Sequence, residues 1–223
     1  MKMINIRSRM KNNYLQLFVL ALIILSLSSC KQDKITMPYY NSAEFTPEWI
    51  SDDDLRARAI HRIDTFTFRD QSNNLISNKD FDGKIYISNF FFTTCPGICP
   101  QMTANMAILQ DTYKDDDRIK LISHTVTPWI DTVEQLRRYA KEYDVIPDKW
   151  HLVTGSKEAI YDLARNSYFA EKEIGVQLSS DDFLHTENFL LVDSKRHIRG
   201  IYNGTISSEI DRLTDDISIL LGD

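Results

Sequence analysis

Residues 84–92 (KIYISNFFF) form a continuous apolar run. Such a run suits a strand covered on both faces of a sheet, so the chain must supply layers above and below it. The residues that follow are Thr93-Thr94-Cys95-Pro96-Gly97-Ile98-Cys99-Pro100. Residues 101–113 then place Met102, Met106, Leu109 and Tyr113 at helical spacing. A buried strand, a two-cysteine loop and a helix therefore stand in immediate succession.

Helix and strand patterns continue to the C-terminus. Residues 118–126 (RIKLISHTV) read as the next strand. Residues 131–143 carry Val133, Leu136, Tyr139 and Ala140 on one helical face. Residues 150–154 are a short strand, and Ser156 is placed to cap a helix running to about Arg165. Residues 171–184 read as a loop or small hairpin. Residues 188–192 and 197–202 pattern as antiparallel strands around Asp193-Ser194-Lys195, and residues 207–220 close the chain as a helix. Ahead of these, residues 62–68 alternate, QSNN turns, and Leu75-Ile76 returns, which is a hairpin signal. Strands separated by helices imply an α/β chain: a mostly parallel sheet, covered on both faces, with an antiparallel end. This order matches a thioredoxin-like fold with a central mixed sheet and an N-terminal β-hairpin extension.

The N-terminus reads as an address. Residues 1–13 are basic and polar, residues 14–27 (YLQLFVLALIILSL) are almost unbroken apolar, and Ser28-Ser29-Cys30 follows. That is the layout of a secretory signal, and the run is shorter than the roughly 20 residues that span a bilayer. Leu27-Ser28-Ser29-Cys30 resembles a bacterial lipobox, although Ser29 stands where Gly or Ala is more usual. The resemblance implies lipidation at Cys30; the alternative is an uncleaved anchor helix. Either reading tethers the remainder to a cell membrane on the outer, periplasmic side. The expected division is a signal over 1–29, a linker over 30–50, which lacks periodicity and contains Pro38 and Pro47, and one domain over 51–223. With 43% hydrophobic residues in 223, one sizeable core fits better than two. Without the signal the chain has 22 basic against 32 acidic side chains, a formal charge of -10. That balance argues against a nucleic-acid partner, whose phosphates demand clustered Lys and Arg. A monomer is the default.

With Cys30 assigned to the tether, Cys95 and Cys99 remain. A disulfide is open to them in an oxidising compartment. As a structural staple it would close a loop too short to stabilise much, so the pair needs a chemical reason. Thiolates are soft ligands for Cu(I), zinc or iron–sulfur clusters. Structural zinc and iron–sulfur sites take four ligands, which favours low-coordinate copper here, with one or two ligands still to find. His61, His124, His151, His185 and His197 compete for that role. His185 is best placed, just ahead of a core strand.

The stretch FFFTTCPGICPQM resembles the metal-site motif of the Sco/SenC family, copper-binding thioredoxin-like proteins of cytochrome c oxidase assembly. Thr93, Cys95, Pro96, Cys99 and Pro100 match its Thr-x-Cys-Pro-x-x-Cys-Pro pattern. HTENFLLVDSKRHIRGIYNGT resembles the later block that holds the family's third ligand, which implies His185. WHLVTG at 150–155 and the helix after it are also similar, so the resemblance covers roughly residues 63–220. It implies one copper ion, Cu(I) or Cu(II), on Cys95, Cys99 and His185. The implied partner is a copper-accepting oxidase subunit or another periplasmic copper or thiol protein. Thr127 departs from the acidic residue many members carry there. Asp131 reads either as a site residue or, more simply, as a cap for the next helix. His124 is expected to be structural, and Met102 and Met106 to fill the core.

Two functions compete. A metallochaperone, more a carrier than an enzyme, would bind and pass on copper. A thiol–disulfide oxidoreductase would cycle Cys95 and Cys99. Three residues separate the cysteines where oxidoreductases usually have two, which favours copper. Peroxide reduction ranks third, for no peroxidase-type Thr-x-x-x-Cys arrangement is present.

Overall fold

The computed structural model describes residues 36–170 and 186–222. The signal, Cys30, the start of the linker, the 171–184 loop and His185 therefore lie outside the described residues. Among those described, the strands are β1 (Tyr39–Tyr40), β2 (Pro47–Glu48), β3 (Thr67–Asp70), β4 (Leu75–Ser77), β5 (Ile85–Phe91), β6 (Ile119–Thr125), β7 (Trp150–Thr154), β8 (Asn188–Val192) and β9 (Ile198–Asn203). The helices are α1 (Asp52–Ala57), α2 (Cys99–Tyr113), α3 (Val133–Glu142), α4 (Lys157–Asp162) and α5 (Ser207–Leu221).

Seven strands form one mixed sheet in the order β4-β3-β7-β6-β5-β8-β9. Only β5–β6 and β6–β7 pair in parallel. The β3–β7, β3–β4, β5–β8 and β8–β9 pairs are antiparallel. The parallel centre and the antiparallel β8–β9 end are as expected, whereas the β4-β3 flank beside β7 is also antiparallel, against the expectation of a mostly parallel sheet. The reason is that the early hairpin joins the sheet beside β7 instead of standing apart. Gln71 pins it there: its side chain donates to the Trp150 carbonyl (2.9 Å) and accepts the Leu152 N–H (2.8 Å), standing in for another strand residue.

Every residue of β5 is buried. Side chains alternate across a strand, so β5 feeds two cores. Ile85, Ile87 and Phe91 face a cluster with Met102, Met106 and Leu109 of α2, Leu136 and Tyr139 of α3, and Leu213 and Ile217 of α5. Tyr86 and Phe90 face the other cluster, with Phe66, Phe68, Ile160 of α4 and Tyr168. Helices therefore cover both faces, as expected. Ser156 caps α4 by accepting the Ala159 N–H (3.2 Å), and the helix ends at Asp162 and widens into a π turn over Leu163–Ser167.

Residues 36–50 do not behave as a linker. Tyr39 and Tyr40 pair with Pro47 and Glu48 in a small antiparallel hairpin. Met37 and Ala43 are buried. Arg199 of β9 donates to the carbonyls of Met37 (2.7 Å) and Pro38 (2.9 Å), and its guanidinium lies 3.9 Å from the Tyr39 ring centroid. Non-periodic sequence with two prolines can still be fixed structure when another element satisfies its carbonyls.

Candidate metal centre

Strand β5 ends at Phe91 and α2 begins at Cys99, two residues before the helix expected from sequence. Cys99 is thus the first helical residue, and Pro100 sits where a missing N–H costs nothing. Cys95 lies in the intervening turn, its N–H donating to the Phe92 carbonyl (3.3 Å). Both cysteines are free thiols, and both belong to the apolar cluster that includes Phe91, Met102 and Met106. Exposure is 9% for Cys95 and 4% for Cys99. The two methionines are fully buried core residues, as expected.

The two sulfurs differ in their surroundings. Burial pushes the Cys95 thiol up, but the N–H of Cys99, the Cys99 thiol and the N–H groups of Gly97 and Ile98 all point to its sulfur. Together they hold it below the ordinary thiol value. Burial pushes the Cys99 thiol up to about 12, against one N–H from Phe92; the Cys95 sulfur and the Asp131 carboxylate add to the rise. Reactivity follows the thiolate. As pH rises, Cys95 should ionise below the usual thiol range and Cys99 well above it. Iodoacetamide titration of the reduced protein, read by mass spectrometry across pH 6–10, should therefore label Cys95 first. Equal labelling rates would contradict the asymmetry.

The turn is anchored from behind by Asp131, which is completely buried. Its Oδ1 accepts the Thr93 hydroxyl (2.5 Å), and its Oδ2 accepts the Thr127 hydroxyl (3.0 Å) and the Thr125 hydroxyl. The Thr93 N–H is shared between the two oxygens (3.4 and 3.2 Å). Gln135 of α3 donates to the Thr93 hydroxyl (3.0 Å). The helix cap is Thr132, whose hydroxyl accepts the Gln135 N–H (3.3 Å). Helix capping by Asp131, the simpler expectation, is therefore incorrect. The sequence signal that could have found this network is Thr125-x-Thr127, two hydroxyls on the same side of an extended segment that ends beside Asp131.

The other histidines that are described do not join the sulfurs. His61 pairs with the Ser167 carbonyl (2.7 Å), His151 with Asp70 (3.3 Å) and His197 with Asp193 (3.3 Å). His124 points into the opposite core. Among the described residues no three His, Cys, Asp or Glu side chains gather as a metal site. Two adjacent soft sulfurs, buried at the edge of an apolar cluster, suit a soft ion of low coordination number and leave room in the donor set for one further ligand.

The SCO1/SenC family model matches residues 56–221. This chain belongs to the SCO1/SenC family. Solved relatives agree in fold. A SCO1/SenC family lipoprotein from Bacillus anthracis is 27% identical with a TM-score of 0.63, over 72% of this chain and 95% of that one. BsSco, described as a Sco-family cytochrome c oxidase assembly protein with a disulfide switch, is 29% identical with a TM-score of 0.59, over 72% and 93%. Arabidopsis thaliana ScoI with copper bound is 27% identical with a TM-score of 0.54, over 69% and 94%. The fold is the thioredoxin-like fold of this family. No helix among the described residues is long and apolar enough to cross a membrane.

Proposed function

We propose that this Sco-family protein is a membrane-tethered copper carrier that binds one copper ion through Cys95, Cys99 and His185. It passes the ion to the dinuclear copper centre of a terminal oxidase. The observation that carries this reading is the pair of free, buried thiols at the β5–α2 junction. Copper bound in the Arabidopsis relative and the oxidase-assembly role attached to BsSco support it. The lipobox-like Cys30 and the lipoprotein relative support the tether. Two sulfurs and an imidazole suit Cu(I) and tolerate Cu(II), so the ion can leave by ligand exchange.

The test is an anaerobic Cu(I) titration of the reduced full chain in detergent, beside its His185→Ala variant. One copper per chain, consuming both thiols and weakened at least about tenfold in the variant, is the expected result. No tight copper in either protein would sink the reading.

The unequal thiols favour a second reading, in which Cys95 attacks and Cys99 resolves during thiol–disulfide exchange with a partner. His185→Ala separates the two, since it removes a copper ligand and leaves both sulfurs in place.

A further inference from the structure

Asp131 is a carboxylate with no solvent exposure, and among the described residues no basic side chain pairs with it. Leaving water is costly for a charge without a counter-ion. The two carboxylate oxygens of Asp131 accept from four donors at once, a capacity that a neutral amide with one acceptor oxygen lacks. Its hydrogen-bond partners show what it does join. Thr93 lies two residues before Cys95, on the loop leaving β5, and gives Asp131 both its hydroxyl and its N–H. Thr125 is the last residue of β6 and Thr127 lies two residues beyond it. The main chain of Asp131 closes back on its own loop as well: its backbone N–H donates to the Thr127 carbonyl (2.8 Å). Gln135 ties the same Thr93 hydroxyl to α3. Three elements are thereby locked to the segment that carries the first sulfur.

We propose that Asp131 is the positioning residue of the metal centre: through Thr93 it fixes the Thr93–Cys95 segment, so that the first sulfur is already in place for a cation. The proposal rests on the copper-carrier reading for the identity of that cation, and assigns Asp131 no bond to it. Pre-organised ligands need no reordering when the ion arrives. Outer residues that orient metal ligands typically govern 10–100-fold in affinity.

The test uses the full chain in detergent and three variants. Asp131→Asn keeps one acceptor oxygen for Thr93 and removes the charge; the threonine hydroxyls can rotate to accept from the new amide. Thr93→Val removes the hydroxyl bond to Asp131 and keeps only the backbone N–H bond, whereas Thr93→Ser retains the hydroxyl. Three quantities are read: Cu(I) affinity by chelator competition, Cys95 alkylation rate in the metal-free protein at pH 7, and the thermal unfolding midpoint. Asp131→Asn and Thr93→Val should each weaken copper roughly 10–100-fold. Both should slow Cys95 alkylation about threefold or more, because a loosened turn no longer aims its N–H groups at the sulfur. Thr93→Ser should behave as the parent, and all three should remain folded at the assay temperature.

Parental affinity and parental alkylation in both disruptive variants would overturn the proposal. So would copper loss seen only in variants already unfolded, which would assign the network to folding alone. If the parent chain itself held no copper, the carrier reading would fail. The alkylation rates would then decide whether Asp131 positions the thiol turn, with unchanged rates overturning it.

Discussion

Cys99→Ser should abolish tight copper binding. The loss should be on the order of a thousandfold or more, beyond the 10–100-fold expected from an outer residue. Copper(I) favours polarisable sulfur, and a serine hydroxyl is a hard donor that stays protonated at neutral pH. The substitution is small enough to isolate the chemistry. Cys99 is the first residue of α2 and 4% exposed, and a hydroxyl there can still meet the N–H of Phe92. The helix begins as before, with Pro100 in place. Chelator competition under anaerobic conditions, with circular dichroism as the fold control, measures the effect. A loss below about tenfold would remove Cys99 from the inner set of ligands. The same variant also interrogates the thiol-exchange reading. Cys95 would remain as the attacking sulfur with no resolving partner, so a mixed disulfide with the target should accumulate. Copper loss without such a trapped species would favour carriage; a trapped species would favour exchange.

The second large effect lies on the opposite face of the sheet. His124 has no solvent exposure, and neither ring nitrogen has a hydrogen-bond partner. It stacks on Phe90 with ring centroids 5.2 Å apart, and meets Phe66, Phe68 and Tyr168 at 5.7, 5.8 and 5.5 Å. Burial among these rings brings its pKa down to about 3. In the unfolded chain a histidine takes up its proton near pH 6.5. Between those values the unfolded state binds more protons, so stability falls as pH drops below about 6.5 and keeps falling towards pH 3. At pH 5 the loss is about 2 kcal/mol relative to pH 7.5, from roughly 1.4 kcal/mol per pH unit. His124→Phe keeps an aromatic ring against Phe90 and cannot take a proton. Denaturant unfolding of parent and variant at pH 7.5 and pH 5 should therefore show the parent losing about 2 kcal/mol more than the variant. Any overpacking from the larger ring would act at both pH values and cancel in that difference. Equal losses would show that another group governs acid sensitivity.

His124 also shows where a sequence stops being readable. The run RIKLISHTV identifies a strand, and the structure places one at Ile119–Thr125. Period two says that His124 faces away from Ser123 and Thr125, but not which face holds the metal. The cysteine turn was more legible because strand, turn and helix are contiguous. The apolar run, the prolines and the spacing of Met102, Met106 and Leu109 are all local signals. They placed the strand and the helix correctly, with only the first two helical residues missed. The resemblance to the Sco/SenC family then supplied a chemistry that spacing alone left open.

Asp131 and residues 36–50 depart from the sequence expectation for a common reason. A residue before a helix suggests a cap, and an aperiodic stretch with two prolines suggests a linker, because both inferences use only neighbours in sequence. The partners that decide these cases are distant. Thr93 lies 38 positions from Asp131, and Arg199 lies 162 positions from Met37. By itself the sequence determined the run of elements from the early hairpin to the last helix, two stacked layers around a buried β5, and a thiol pair at its end. Only the tertiary structure decided which face each buried polar group occupies, which carboxylate braces the thiols, and where the folded domain begins. Backbone periodicity and side-chain chemistry are local properties, whereas a buried polar group is satisfied by whatever donor the folded chain brings to it.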